Sequence, residues 1–436
     1  MLTSPEPVWR TALSGAQILF VAFGATVLVP LLTGLNPSLA LLGAGIGTLI
    51  FQICTKRQVP IYLGSSFAFI APVIYSVKTW GMPATMGALA AASFFYYLAA
   101  ALVKWRGVGF IHHLLPPVVI GPVVMVIGLG LAQVAISMAT GKAGDTQVVP
   151  YGTALGVAAI SLTATMLTAI HARGLLKLVP ILVGVAVGYA ASLFLGLVDF
   201  SKVINAPWLA IPEFGHPQFN LAAILFMIPV AIAPIVEHVG GILAIGSVVG
   251  RDYTEQPGLH RTLLGDGLAV NIVGLFGGPP VTTYGEVTGA VMLTRNYNPV
   301  VMTWAACFAM LMAFVGKFGA LLQTIPMPVM GGIMILLFGS IAGIGLKTII
   351  DGKVDLMKPR NLCLVSVTLV TGIGGLGVTI GSFSLQGISL CGVLAVLLNQ
   401  ILPAGEQEEK IEPTTDFREQ NCGIETQLTQ TEEDMI

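Results

Sequence analysis

Long runs of apolar residues that contain almost no charged side chains extend through nearly the whole chain. The first run spans Thr11 to about Leu32, and similar runs follow one another as far as Pro403. A helical run of roughly 20 apolar residues matches the thickness of the hydrocarbon core of a bilayer. Only 9% of the residues are charged, whereas soluble domains carry about 25%. The sequence therefore predicts an all-α protein that crosses a membrane many times, with the lipid bilayer as its surroundings.

Boundaries at charged residues and at Gly/Pro turns divide the apolar runs into segments. They predict about fourteen spans, at 11–33, 38–55, 60–77, 84–103, 114–138, 150–171, 176–198, 219–247, 262–277, 281–295, 297–316, 324–345, 361–378 and 385–402. With the N-terminus in the cytoplasm, 16 of the 20 Lys and Arg residues fall on the cytoplasmic side, as expected for a bacterial-type topology in which positive charge stays inside. The bias predicts cytoplasmic N- and C-termini in a multi-pass plasma or inner membrane protein.

Two parts of the chain echo each other. A proline and two glycines at positions 117, 121 and 128 recur at the same spacing at positions 328, 332 and 339, seven spans later. Similarly, the Ser-Ser-Phe sequence at 65–67 in the third span corresponds to Thr-Thr-Tyr at 282–284 in the tenth. Two repeats with an odd number of spans must have opposite orientations, which is the inverted-repeat plan of secondary transporters.

Four regions follow from these patterns. Residues 1–10 form a short cytoplasmic segment, 11–200 the first seven-span repeat and 215–403 the second. Ten of the 21 acidic residues lie in 404–436. This last region is polar and poor in large apolar residues, so it is predicted to be a disordered acidic cytoplasmic tail.

Two carboxylates interrupt otherwise apolar spans. Glu237 lies near the middle of the eighth span and Glu286 within the tenth, while the other acids before the tail are expected in loops or at span ends. Asp266 is among these, as a cap or interface residue, and His238 is assigned a structural role because it faces away from its neighbour Glu237. A carboxylate in the centre of a bilayer costs at least about 2.5–3.5 kcal/mol on insertion scales. Glu237 and Glu286 are therefore candidates for substrate binding and for proton coupling.

The backbone beside these acids is predicted to leave the helical conformation. Gly277-Gly278-Pro279-Pro280 cannot continue a regular helix, and residues 281–284 that follow favour an extended segment. The corresponding stretch in the third span is 64–69. Interrupted spans are the best sequence indication of a binding site near the membrane midplane. Two carboxylates with free backbone amides suit a flat, neutral ligand that has both N–H donors and carbonyl acceptors.

Other kinds of function are disfavoured. The five cysteines are scattered without a CxxC pair or a histidine at ligand spacing, so neither a metal site nor a cofactor is predicted. The spans offer no nucleophile–base arrangement for an enzyme. An anion transporter or channel of similar architecture remains an alternative, although two interior acids would repel an anion. No nucleic-acid partner is expected.

Several long segments resemble one known family. The chain is similar to the nucleobase–ascorbate transporters, and among them most similar to bacterial uracil permeases, from Gln17 to Pro403. The segments that carry this resemblance are 23–30 (FGATVLVP), 60–69 (PIYLGSSFAF), 237–240 (EHVG), 257–261 (PGLHR) and 282–286 (TTYGE).

The resemblance implies a core domain of spans 1–4 and 8–11 and a gate domain of spans 5–7 and 12–14, with short strands in spans 3 and 10. It also implies that Glu237 and Glu286 bind a nucleobase through their carboxylates. Phe67 and Gly285 would contribute backbone contacts, and Tyr284 would pack against the ring. The function expected is proton-coupled import of uracil by alternating access, with any homodimer contact on the gate domain.

The chain departs from uracil permeases at three positions. Ile18 replaces a histidine in the first span, Gly241 replaces a histidine four residues after the first glutamate, and Val287 replaces an asparagine after the second. The missing histidine bears on proton coupling, and Val287 lies near the expected pocket. Xanthine, urate or another purine is therefore retained as the alternative substrate.

Overall fold

The structure, a computed structural model, describes residues 7–143, 146–380 and 383–403. The predicted cytoplasmic segment up to Glu6 and the predicted acidic tail 404–436 lie outside the described residues, so their predictions stand as made.

Helices dominate the N-terminal half. From the N-terminus to Asn205 the helices are α1 (Val8–Thr33), α2 (Pro37–Cys54), α3 (Ile70–Trp80), α4 (Met82–Arg106), α5 (Val108–Leu114), α6 (Pro117–Leu129), α7 (Ala132–Ala139), α8 (Tyr151–His171), α9 (Pro180–Phe194) and α10 (Ser201–Asn205). The short strands of this half are β1 (Leu63–Ser65), β2 (Lys142–Ala143) and β3 (Thr146–Gln147). Short 3₁₀ turns at Phe67–Phe69 and Gly174–Leu178 precede α3 and α9.

The C-terminal half is built in the same way. Its helices are α11 (Leu221–Met227), α12 (Ile232–Val249), α13 (Leu259–Leu275), α14 (Gly285–Thr294), α15 (Val300–Ala313), α16 (Gly316–Leu322), α17 (Met327–Asp351), α18 (Pro359–Ile373) and α19 (Ile388–Ile401). Its strands are β4 (Val281–Thr283), β5 (Gly377–Ile380) and β6 (Phe383–Gln386). A 3₁₀ turn at Pro229–Ala231 separates α11 from α12, and a π turn at Thr254–Gly258 precedes α13.

Each predicted span overlaps at least one of these helices. Seven helical segments among the described residues are long and apolar enough to cross a membrane, and five shorter apolar helices have 10–17 residues. The protein is thus a mostly helical, multi-pass membrane protein. The number of fourteen spans stays a prediction, because several helices are shorter than a membrane crossing requires.

Local sequence explains where the first two helices end and begin. The chain leaves α1 at Gly34, whose φ of 76° is a left-handed conformation that glycine adopts without strain. Asn36 then caps α2, because its Oδ1 accepts a hydrogen bond from the Ser38 amide at 2.8 Å. Pro37 occupies the first helical position, where its missing N–H costs nothing. A turn of three residues therefore reverses the chain between the two helices.

Small residues bring the helices close together. A Cβ on Gly345 of α17 would lie only 2.6 Å from the carbonyl oxygen of Gly121 in α6, and one on Gly274 of α13 only 2.8 Å from the amide of Ala90 in α4. Contacts this close between backbones are typical of membrane helices, which associate through small residues. Helices α6 and α17 occupy corresponding positions in the two predicted repeats. Contacts group the chain through Ile401 into one compact unit, and the division into core and gate domains stays a prediction.

Candidate functional site

The strands β1 and β4 lie in the interior and pair with each other. They are antiparallel, with Leu63 opposite Thr283 and Ser65 opposite Val281, and all six residues are buried. The amide of Ser66 extends the ladder by donating to the carbonyl of Pro280 at 2.8 Å. The prediction of short extended segments in the third and tenth spans is therefore confirmed, although β1 is shorter than the predicted stretch 64–69.

A helix begins directly after each strand. The 3₁₀ turn starts at Phe67 and α14 starts at Gly285, and neither has a side-chain cap at its N-terminus. The first amides of a helix have no partner within the helix. Such amides attract acceptors and negative charge. Two helix starts that follow two paired strands thus present N–H donors in one region, which suits the carbonyl oxygens of a ligand.

Aromatic side chains pack around these helix starts. Tyr284 donates its hydroxyl hydrogen to the carbonyl of Ser65 at 2.8 Å, and its ring lies nearly parallel to that of Phe67, with 6.4 Å between centroids. Phe338 of α17 meets the Phe67 ring edge-on at 5.9 Å. Phe338 was not among the predicted site residues, because an aromatic residue in an apolar span has no distinguishing pattern. All three side chains are buried, so they fix the position of the backbone at both helix starts.

Glu237 and Glu286 lie on packed helices beside the strands. Glu286 is in the first turn of α14, and Glu237 is in the middle of α12, which contacts both α14 and β4. The Oε2 atom of Glu237 is buried and finds no hydrogen-bond partner in the part of the chain that the structure describes. Since buried polar atoms are normally hydrogen-bonded, an unpaired carboxylate oxygen indicates a position where a donor of the ligand can bind.

Gly241 is a position at which β4 comes close to α12. A Cβ there would lie 3.0 Å from Thr283 Oγ1, so a larger side chain at 241 would press on Thr283. His238 lies one turn earlier on the same helix, with its Nδ1 atom 3.5 Å from Thr283 Oγ1.

Asp266 was expected at a span end, as a cap or interface residue, and its expected position at a span end is wrong. The helix α13 begins at Leu259, earlier than the predicted span, so Asp266 lies well inside it and is fully buried. Its Oδ2 atom is 3.3 Å from Nδ1 of His238 and 3.4 Å from the hydroxyl of Thr282. This contact joins α12 to α13, so Asp266 lies at a helix interface, and the contact agrees with the structural role expected for His238. The interior therefore holds three carboxylates, rather than two.

Glu286 also lines a cavity of about 190 Å³. The cavity lies between α1, the start of α9 and α14, and Lys177 is in its lining. Lys177 itself is exposed. Glu286 is therefore reached from the end of the protein where Lys177 and the C-terminus of α14 lie. Within the described residues no cluster of three or more His, Cys, Asp or Glu could hold a metal ion.

Substitution of Gly64 tests whether the strand pair needs its close contact. A Cβ on Gly64 would overlap the Tyr284 ring and lie 2.8 Å from Thr26 Oγ1. We expect Gly64→Ala to destabilise the protein by about 1–3 kcal/mol, the usual cost of overpacking. Thermal unfolding of the purified protein in detergent measures this. Gly156→Ala in α8 is the matched control, because a Cβ there meets nothing within 4 Å. Equal melting temperatures for the two variants would contradict the role of Gly64.

Comparison with known proteins places the chain among permeases. A family model described as "Permease family" matches residues 10–381. The chain is 57% identical over 394 residues to a probable uracil permease of Pasteurella multocida, covering 90% of this chain and 94% of the relative. It is 48% identical over 399 residues to a uracil permease of Bacillus caldolyticus, covering 90% and 91%.

Solved structures show the same fold at much lower identity. The transmembrane domain of the cyanobacterial bicarbonate transporter BicA superposes with a TM-score of 0.63 at 14% identity, covering 91% of this chain and 98% of that domain. At this identity the likeness concerns the fold alone.

Proposed function

We propose that this chain, which belongs to the nucleobase–ascorbate transporter family of permeases, imports uracil across the cell membrane by proton symport and alternating access. The observation that carries the substrate is the name shared by its relatives, uracil permease, at 42–57% identity over about nine-tenths of the chain. The site geometry supports it independently. The anion-transporter fold of the structural neighbour is compatible with the architecture, but two carboxylates on the packed helices α12 and α14 favour a neutral ligand.

Uracil has the hydrogen-bonding groups that this site can satisfy. Its two ring N–H groups would donate to the carboxylates of Glu237 and Glu286, and its carbonyl oxygens would accept from the amides of Phe67 and Gly285. Tyr284 would support the ring through its packing on Phe67. A site that hydrogen-bonds a ligand along its whole edge rejects analogues strongly, because a mismatch leaves buried polar groups unpaired.

Proton coupling would use the same carboxylates. An ionisable group inside a membrane protein is a usual element of proton relays. Glu286 is open to one cavity, and an acid that changes the side to which it is exposed can take up a proton on one side and release it on the other. Because Gly241 stands where related permeases have a histidine, Glu237 and Glu286 are the proposed proton carriers.

Uptake of labelled uracil by permease-deficient cells that express the chain tests the proposal. We expect uptake well above that of cells with the empty vector, inhibition by excess unlabelled uracil, and a large loss of accumulation when a protonophore is added. Xanthine and urate are included as competitors. Stronger inhibition by xanthine than by uracil would show that uracil is not the preferred substrate. Accumulation that is unaffected by the protonophore would contradict proton symport.

A further inference from the structure

Two cavities lie one after the other along the helices α1 and α9. The first, the Glu286 cavity, is lined by Phe20 and Val21 of α1, by Lys177 and residues 179–182 at the start of α9, and by one face of α14. The second, here named the apolar cavity, is also about 190 Å³ in volume and is lined by one face of α1 between Phe23 and Leu28, one face of α9 between Ile181 and Tyr189, and parts of α16 and α17. Tyr189 is the one residue of that lining whose side chain carries a polar group.

The order of the residues shows that the cavities form a row. On both α1 and α9 the residue numbers rise from the Glu286 cavity to the apolar cavity. From Phe20 to Leu28 the helix rises about 12 Å, a substantial part of the thickness of a bilayer. The two cavities therefore occupy successive depths of the same helix pair, with Glu286 reached from one of them.

A single layer of side chains separates the cavities. Ile181 and Leu182 line both of them. On α1, Gly24 lies against Ile181 and also lines the apolar cavity, whereas Val21 lines the Glu286 cavity. A Cβ on Gly24 would overlap the Cγ2 atom of Ile181, so the Ile181 side chain is seated directly on the backbone of α1.

We infer that Ile181, seated against Gly24, is the barrier that seals the Glu286 cavity from the apolar cavity, and that transport requires this contact to open. The inference rests on the proposed transport function and names the residues that close its path. A narrow constriction lined by apolar side chains excludes water and ions. The barrier keeps protons from reaching Glu286 from the side of the apolar cavity while the carboxylate is exposed to the other side.

A pair of compensating substitutions tests the contact between Gly24 and Ile181. Gly24→Ala places a methyl group where Ile181 Cγ2 lies, and it lowers uracil uptake about tenfold, as overpacking of a close contact does. Ile181→Ala in the same chain removes the opposing branch and restores most of the lost uptake. Gly339→Ala in α17 is the matched control, because a Cβ there meets nothing within 4 Å. Uptake by Gly24→Ala equal to that of the control overturns the contact.

Thiol labelling distinguishes a barrier from a packing contact. Gly289→Cys is introduced into a chain whose five own cysteines are replaced; position 289 lines the Glu286 cavity and has open space for a side chain. A membrane-impermeant maleimide is added to right-side-out or inside-out vesicles. We expect labelling only from the side on which Lys177 lies. Adding Ile181→Ala makes the cysteine reactive from both sides, whereas Ile181→Val, which keeps both branches at Cβ, leaves it one-sided.

Each result has one meaning. Labelling that stays one-sided with Ile181→Ala, or that is two-sided before any change at 181, overturns the barrier. Uracil uptake by the unsubstituted chain is measured in the same cells. A chain that fails to take up uracil but gains two-sided labelling with Ile181→Ala keeps the barrier and loses the proposed substrate. A chain that takes up uracil but whose labelling stays one-sided with Ile181→Ala keeps the proposed substrate and loses the barrier.

Discussion

Glu286→Gln lowers uracil uptake by about a hundredfold, the expected cost of replacing one member of a buried, charge-assisted hydrogen bond. The glutamine keeps the size of the side chain, but it replaces one acceptor oxygen by an NH2 donor, and it cannot exchange a proton. Glu237→Gln is expected to have a similar effect, because its Oε2 atom is buried without a partner among the described residues. Initial rates of labelled uracil uptake, normalised to the amount of protein in the membrane, measure both effects.

Glu213→Gln is the matched control for these two variants. Glu213 is exposed in the segment between α10 and α11, so the same chemical change should leave uptake within about twofold, as for most surface substitutions. Binding of uracil to the purified variants separates two contributions. A variant that binds but does not accumulate uracil has lost the proton-coupled step, while one that does not bind has lost a contact to the base. Uptake that survives in both glutamine variants would contradict the site.

The sequence predicted the elements of this site because each contains residues that are energetically unfavourable in an apolar helix. Glu237 and Glu286 are expensive in apolar spans, and the Gly277–Pro280 segment cannot remain helical. Those costs indicated where the helices break, and the structure places the two strands side by side. The same reasoning assigned Asp266 to a span end, because the apolar run before it is short. That prediction failed because α13 starts at Leu259, and burial of Asp266 depends on neighbouring helices.

Contacts between distant segments could not be read from the sequence. The pairing of Tyr284 with the carbonyl of Ser65 joins residues that are 219 positions apart, and no local pattern encodes it. Likewise, Gly24 is one of 52 glycines, and its contact with Ile181 emerges only when α1 and α9 lie side by side. Charged residues and helix breakers in an apolar span show which positions are energetically unfavourable in lipid. Which residues contact each other depends on the packing of the whole chain.

Asp266→Ala is expected to destabilise the protein by about 3–5 kcal/mol, the cost of removing one member of a buried polar pair. The change leaves Nδ1 of His238, which is fully buried, without the carboxylate at 3.3 Å, and it frees the hydroxyl of Thr282 as well. Thermal and denaturant unfolding of the purified protein measure the loss. Asp351→Ala is the matched control, since Asp351 pairs with Lys347 at the exposed end of α17, and exposed pairs contribute only about 0–1 kcal/mol.

The double variant His238→Leu/Asp266→Leu decides what the pair is for. Replacing both members of a buried pair by apolar residues of similar size is often neutral for stability, so the double variant should unfold close to the unsubstituted protein. If stability returns and uracil uptake returns with it, the pair serves only to join α12 to α13. If stability returns without uptake, the pair positions β4 and Glu237 for transport, because His238 contacts Thr283 and Asp266 contacts Thr282, both residues of β4. A double variant as unstable as Asp266→Ala would contradict the argument from unpaired polar groups.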